Sequence, residues 1–317
     1  MMAGPALMAY AGLIVLAVVV AWLVARRARG ARAFRHGSEV LSTAVRSAKR
    51  RFIVAAGFTA VILLAGFVTT IALPSALGLP LAVAPSVAGA AGLLLYAITP
   101  PPVSSVAERD VRVASLAPRR AWSFVSRRAL TGLAVLLVAT CVLLILTGIT
   151  SSPDDAGRSR AITFADDAFM SSATPYPGWF YAVPLLVALV CLAVAALLAL
   201  RRIAITPSLP GPGLERQDRA WRVASTRVVV DLVVASLTLQ LGGVAVFAGN
   251  AIHNAAFNPG VPLVTQMVGD ALFIIGIAAL VASVVWFTLA ALRAFGLPHT
   301  VASDVATQST THEATGR

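Results

Sequence analysis

The chain has 317 residues, a formal net charge of +12, 58% hydrophobic and only 12% charged residues, and a mean hydropathy of +0.86. Such a composition cannot hide its apolar surface from water by self-association, which excludes an ordinary soluble globule and leaves lipid as the natural solvent. The length admits several spans of about 20 residues plus connectors, so a single membrane domain is expected over 1–294.

Taken in chain order, apolar stretches long enough to cross a hydrocarbon core of about 30 Å lie at 5–25, 53–73, 81–99, 129–149, 180–200, 228–248 and 270–292. The expectation is an all-α integral membrane protein with seven transmembrane helices. No basic residue precedes the first stretch, while Arg26, Arg27, Arg29, Arg32 and Arg35 follow it. This reversed charge order reads as an uncleaved anchor rather than a secretory signal. The third stretch opens between Pro80 and Pro85; a proline in a first helical turn gives up only an amide that would be unpaired there. The tail over 295–317, with no apolar periodicity, is expected to be a disordered cytoplasmic end.

Orientation follows from the connectors. Those at 25–51, 100–128 and 201–227 carry nine, six and six Lys or Arg, whereas the opposite set carries only Arg158 and Arg160. The positive-inside bias then places the N-terminus outside and the C-terminus in the cytoplasm of a multi-pass plasma-membrane protein. Because the basic residues are dispersed among apolar runs, they point to a bilayer with anionic headgroups as partner and not to nucleic acid. Trp22, Trp122, Trp179, Phe180, Tyr181 and Trp221 lie at span ends and read as interface anchors. Cys141 and Cys191 fall inside apolar stretches, where a thiol behaves as a small hydrophobe rather than a disulfide partner.

Two basic connectors resemble each other. Ala97 to Pro100 recurs as Ala204 to Pro207, and Glu108-Arg109 as Glu215-Arg216, at an offset of 107; Arg120, Ala121, Trp122, Ser126 and Arg128 then match Arg219, Ala220, Trp221, Ser225 and Arg227 at an offset of 99. A tandem repeat of helical hairpins is the expectation. Its copies would share one orientation, unlike the inverted repeats of many transporters. Arg120, Trp122, Arg128, Arg219 and Trp221 are the candidate contacts to lipid headgroups, though any cytoplasmic flank has this look.

Ionisable groups inside spans are costly, at about 2.5–3.5 kcal/mol each, and mark the first places to look for chemistry. Asp231 stands four residues after Arg227, which allows a salt bridge at the inner interface. Gln240, Asn250, His253, Asn254, Gln266 and Asp270 gather at the outer ends of the sixth and seventh spans and form the candidate ligand pocket. No spacing supports a metal site or cofactor, and Walker, dinucleotide, Gly-x-Ser-x-Gly and His-Glu-x-x-His motifs are missing from the sequence, so no enzyme is expected. Gly242 and Gly243 read as close helix contacts.

The run Tyr176-Pro-Gly-Trp-Phe-Tyr-Ala-Val-Pro-Leu185, leading into a span that ends at Arg201-Arg202, resembles a passage in polytopic membrane proteins of actinobacteria that have no assigned function. The likeness covers the fifth and sixth spans. It implies a multispan plasma-membrane protein and lends no substrate or catalytic residue. Two functions are carried forward: a non-enzymatic interaction, assembly or sensing subunit with a membrane or cytoplasmic protein partner, and a small-solute transporter or channel using the outer polar cluster.

Overall fold

The computed structural model describes residues 39–98, 120–166, 169–206, 215–257 and 260–315, with the backbone alone over 39–49, at 166, over 215–217 and over 295–315. Among the described residues six helices are long and apolar enough to cross a membrane. They are α1 (Glu39–Ala72), α2 (Leu79–Ile98), α3 (Arg127–Ile149), α4 (Trp179–Ile205), α5 (Glu215–Ala256) and α6 (Leu263–Thr315). These match the second to seventh apolar stretches, so the mostly helical, multi-pass architecture read from composition holds. The first stretch, 5–25, lies outside the described residues.

Helix is the form a chain takes when no water is present to satisfy its amides and carbonyls. The helices nevertheless overrun the apolar stretches. At 42 residues α5 is about 63 Å long, twice the thickness of a hydrocarbon core. The backbone of α6 stays helical to Thr315, through the tail that the sequence alone reads as disordered; no apolar stripe accompanies it to signal a helix. Ser126 caps α3 by accepting from the Ala129 N–H at 3.2 Å. Pro85 sits one turn deeper in α2 than the first-turn argument allows, so the Leu81 carbonyl loses its helical donor, while the Leu81 N–H donates to Thr70 Oγ1 at 3.1 Å.

Burial identifies the hub. In its most apolar window α5 is 83% buried, against 11% for α3 and 17% for both α1 and α6. Lipid tails offer no hydrophobic drive for helices to associate, so close backbone approach and polar contacts must do it. A seam of small residues joins α5 to α6. A Cβ on Gly242 would lie 2.9 Å from the Gly276 carbonyl oxygen, and one on Gly249 would lie 2.5 Å from the Phe273 nitrogen and 2.6 Å from the Gly269 carbonyl oxygen. Gly242 faces Gly276 and Gly249 faces Gly269, the pattern of an antiparallel pair in a fixed register. The same seven-residue spacing carries Ala235 and Ala256 on one helix and Ser283 and Ala290 on the other, all buried. Gly242 is therefore a helix contact as its sequence context implied.

A second seam is polar. On α2 and α5, Ser86 Oγ donates to Gln240 Oε1 at 3.1 Å with both residues buried. Thr59 of α1 bonds its own Ala55 carbonyl at 2.9 Å and reaches the Ala88 carbonyl of α2 at 3.2 Å.

The connector between α3 and α4, expected only as a loop, is a three-stranded antiparallel sheet of β1 (Ser152–Pro153), β2 (Ser159–Asp166) and β3 (Phe169–Ala173) in the order β1-β2-β3. Ile162 of β2 is buried and joins Tyr176, Ala248, Ala251, Ile252 and Ala255 in one cluster. The sheet thus caps one end of α5. We call this the sheet end, and the opposite end of the bundle, where α4 gives way to α5, the arginine end.

The seam carries a direct consequence. Gly249→Leu drives a branched side chain into backbone atoms and is expected to cost at least about 3 kcal/mol of stability, the upper range of overpacking. Gly132→Leu on α3, where a Cβ meets nothing within 4 Å, leaves the thermal midpoint in detergent within error of the parent. Equal midpoints for the two variants would contradict the seam.

Candidate functional site

The six polar residues expected to form one outer pocket do not converge. His253 Nδ1 and Asp270 Oδ1 meet at 2.6 Å across the sheet end of the α5–α6 pair, on an open surface. Phe257 stacks on the His253 ring at 6.1 Å. The Asn254 side chain donates to the backbone carbonyl of Asn250 at 2.8 Å, so the Asn254 amide serves the helix end. Gln266 is half-buried on α6 and Asn250 is exposed. Gln240 stands apart, ten residues or about 15 Å along α5 from Asn250. Sequence position alone does not separate the depth of Gln240 from that of the residues at the helix end.

Gln240 instead lies in the wall of a cavity of about 280 Å³. The cavity is bounded by the last turn of α1 and the α1–α2 turn (Thr70, Pro74, Leu77), by Leu81 and Ala82 of α2, by Pro175 to Tyr181 where the chain enters α4, and by Val244 and Phe247 of α5. Its rim is held by polar bonds that point away from the interior. Tyr181 Oη donates to the Leu77 carbonyl at 2.6 Å, fixing a turn in which Leu77 and Gly78 adopt φ of 53° and 82°. Tyr176 Oη and Thr150 Oγ1 share a bond at 2.6 Å, and burial pushes the Tyr176 phenol above its ordinary pKa. The Pro-Gly-aromatic run, expected from the sequence to anchor an interface, builds this rim through the buried Tyr176 and Tyr181.

At the arginine end the expected ion pair is replaced. Asp231, 2% exposed, binds Arg293 of α6 through both carboxylate oxygens at 2.5 Å, while Arg227 is exposed. Four residues along a helix advance the face by about 40°, enough to send Arg227 outward while Asp231 faces α6. A stronger feature was missed. Arg222, 1% exposed, donates from Nε and Nη2 to the two oxygens of Asp218 at 2.7 and 3.1 Å. It also donates from Nη1 to the Ile203 and Ala204 carbonyls at 2.6 and 3.2 Å, and from Nη2 to the Thr206 carbonyl at 2.7 Å. One guanidinium thereby satisfies the open carbonyls that end α4, a C-cap supplied by the next helix.

Family models, curated proteins and solved structures give no match to this chain.

Of the residues expected to meet headgroups, Arg120, Trp122, Arg128 and Arg219 are exposed. Trp221 is not: it is 4% exposed, and the Arg222 guanidinium lies 5.9 Å from its ring centroid. The two members of the sequence repeat also differ locally. Helices α2 and α4 end at the equivalent residues Ile98 and Ile205, but Arg120 to Arg128 makes a turn and a helix cap, whereas Arg219 to Arg227 lies within α5. Cys141 is half-buried and Cys191 exposed on the apolar surface; both are free thiols. At the sheet end, Asp154 Oδ1 accepts from the Ala156 and Arg158 N–H groups, each at 2.9 Å, and Oδ2 takes the Arg158 and Arg160 guanidinium groups at 3.1 and 2.5 Å. Led by the Arg158 N–H, these donors hold the Asp154 carboxyl well below the usual carboxylate range.

Two outcomes follow. Arg222→Leu strands the Asp218 carboxylate and three helix-terminal carbonyls, so a loss of about 3–5 kcal/mol is expected in denaturant unfolding; Arg222→Lys, without the planar fork, recovers little of it. The depressed Asp154 group stabilises the fold above the unfolded carboxylate pKa of about 4, and that contribution is lost as pH falls through the lower folded value. Asp154→Asn is accordingly less stable than the parent at neutral pH, and the two thermal midpoints approach each other as the pH is lowered below about 4.

Proposed function

We propose that the chain is a seven-span plasma-membrane protein, with its N-terminus and sheet outside, that works without catalysis as an interaction, assembly or sensing subunit. The supporting observation is how the charges inside the helices are used. Asp231 is paired with Arg293, Asp218 with Arg222, and Arg51 lies over the Tyr96 ring at 5.7 Å. Carriers of ions and protons keep such groups near the midplane, facing a cavity. Here they hold helices together near one end.

Orientation draws on the same geometry. The two Arg or Lys residues of the opposite connectors, Arg158 and Arg160, both bind Asp154, so the sheet end offers far less free positive charge to hold it inside than the connectors of the other side. The exposed Arg120, Arg128 and Arg219 face anionic headgroups at the cytoplasmic leaflet or a protein docked there. The transporter alternative loses ground because Gln240 lies about 15 Å along α5 from Asn250 and the His253–Asp270 pair sits on an open surface.

In cells producing a Cys141→Ser, Cys191→Ser background, Asp155→Cys is expected to react with an impermeant maleimide from outside, and Arg120→Cys only after the membrane is opened. Purification in a mild detergent is expected to bring down the same membrane or cytoplasmic protein in every replicate. Recovery of the chain alone, under conditions where the labelled topology is intact, would remove the subunit reading.

A further inference from the structure

The cavity at the sheet end contains one polar group whose bonding is incomplete. Gln240 is 2% exposed, and its Oε1 accepts from Ser86. That bond uses the carbonyl end of the amide; Nε2 makes no hydrogen bond to an acceptor among the described residues, and Gln240 lines the cavity. The other polar side chains of the wall are engaged elsewhere: Thr70 with the Gly66 carbonyl and Leu81 N–H, Tyr176 with Thr150, and Tyr181 with the Leu77 carbonyl. The remaining wall is apolar.

Depth and size narrow the occupant. Ser86 is seven residues inside the start of α2, so Gln240 lies about 10 Å below the rim. At about 280 Å³ the space is near the lower limit of ligand pockets, which run from about 300 to 1,000 Å³. A single donor at the floor of an apolar chamber selects a molecule with an acceptor at one end and a hydrocarbon body behind it. A buried amide left without a partner is costly, and apolar walls give a water only that one group to bind.

We propose that this cavity is a binding site for a small lipid-soluble carbonyl compound, which enters acceptor-first so that its oxygen accepts from Gln240 Nε2 while its chain lies against Leu77, Leu81, Leu185, Val244 and Phe247. The site does not depend on the subunit reading; either can fail alone. The surrounding bilayer supplies such molecules as esters and ketones, and no water-filled path is needed.

The test uses the full chain in lipid nanodiscs with two photoactivatable probes of equal length, a diazirine-bearing methyl decanoate and the matching decane. The ester is expected to label peptides within 77–82, 175–185 and 240–247, to be displaced by excess methyl decanoate, and to bind about tenfold tighter than the hydrocarbon. Gln240→Leu should lower ester affinity about tenfold and leave the decane probe unchanged. Ala82→Phe, which fills the chamber without touching Gln240, should abolish both. Labelling spread along the exposed faces of α1 and α3 without competition would overturn the site. So would equal affinity of the two probes for the unmutated chain, a comparison that needs no variant to fold.

Discussion

Backbone contact between α5 and α6 is the constraint from which the remaining arrangement follows. In lipid, an apolar side chain gains nothing by exchanging a hydrocarbon tail for another side chain, so helices join only where they approach closely or exchange hydrogen bonds. Glycines at 242, 249, 269 and 276 remove the side chains that would hold the two axes apart. With α6 fixed along one flank of α5, the Asp231–Arg293 pair closes at the arginine end and the His253–Asp270 pair at the sheet end. The other flanks of α5 then receive α2 through Ser86 and Gln240, and the end of α4 through Arg222.

Polar chemistry in this molecule is arranged by depth. The buried carboxylates Asp218 and Asp231 lie toward the arginine end of the bundle, each paired with an arginine. The middle of α5 uses neutral donors and acceptors instead, such as Ser236, Thr238 and Gln240, all buried. Thr238 returns its hydroxyl to the Val234 carbonyl at 2.8 Å and so adds no demand on its surroundings. Gln240 has four bonding positions and cannot be satisfied by its own helix, which is why it is the residue that opens onto a chamber.

Much of the architecture was legible in the sequence because span length and hydropathy are additive properties of a local window. The stretches at 129–149 and 180–200 fall inside α3 and α4, and that at 53–73 runs one residue past the end of α1. The small-residue seam was legible too, as Ala235, Gly242, Gly249 and Ala256 against Gly269, Gly276, Ser283 and Ala290, but its seven-residue period escapes a search for glycines four apart. What could not be read is which face each residue occupies. Arg227 and Arg293 are equally plausible partners for Asp231 until α6 is placed, and Trp221 looks like an interface anchor until α4 ends beside it. The β2–β3 hairpin left a faint signal, Ile162 and Phe164 on either side of Thr163, over a stretch too short to separate from a loop.

The antiparallel register of α5 against α6 is most directly tested by disulfide trapping between Ala235→Cys and Ser283→Cys in a chain lacking Cys141 and Cys191. Both positions are small and buried, and they continue the pairing of Gly242 with Gly276 by one heptad. The account predicts rapid, near-complete bond formation in the native membrane, with Ala235→Cys and Gly276→Cys failing to join. Efficient trapping of that second pair, or none for the first, would contradict it.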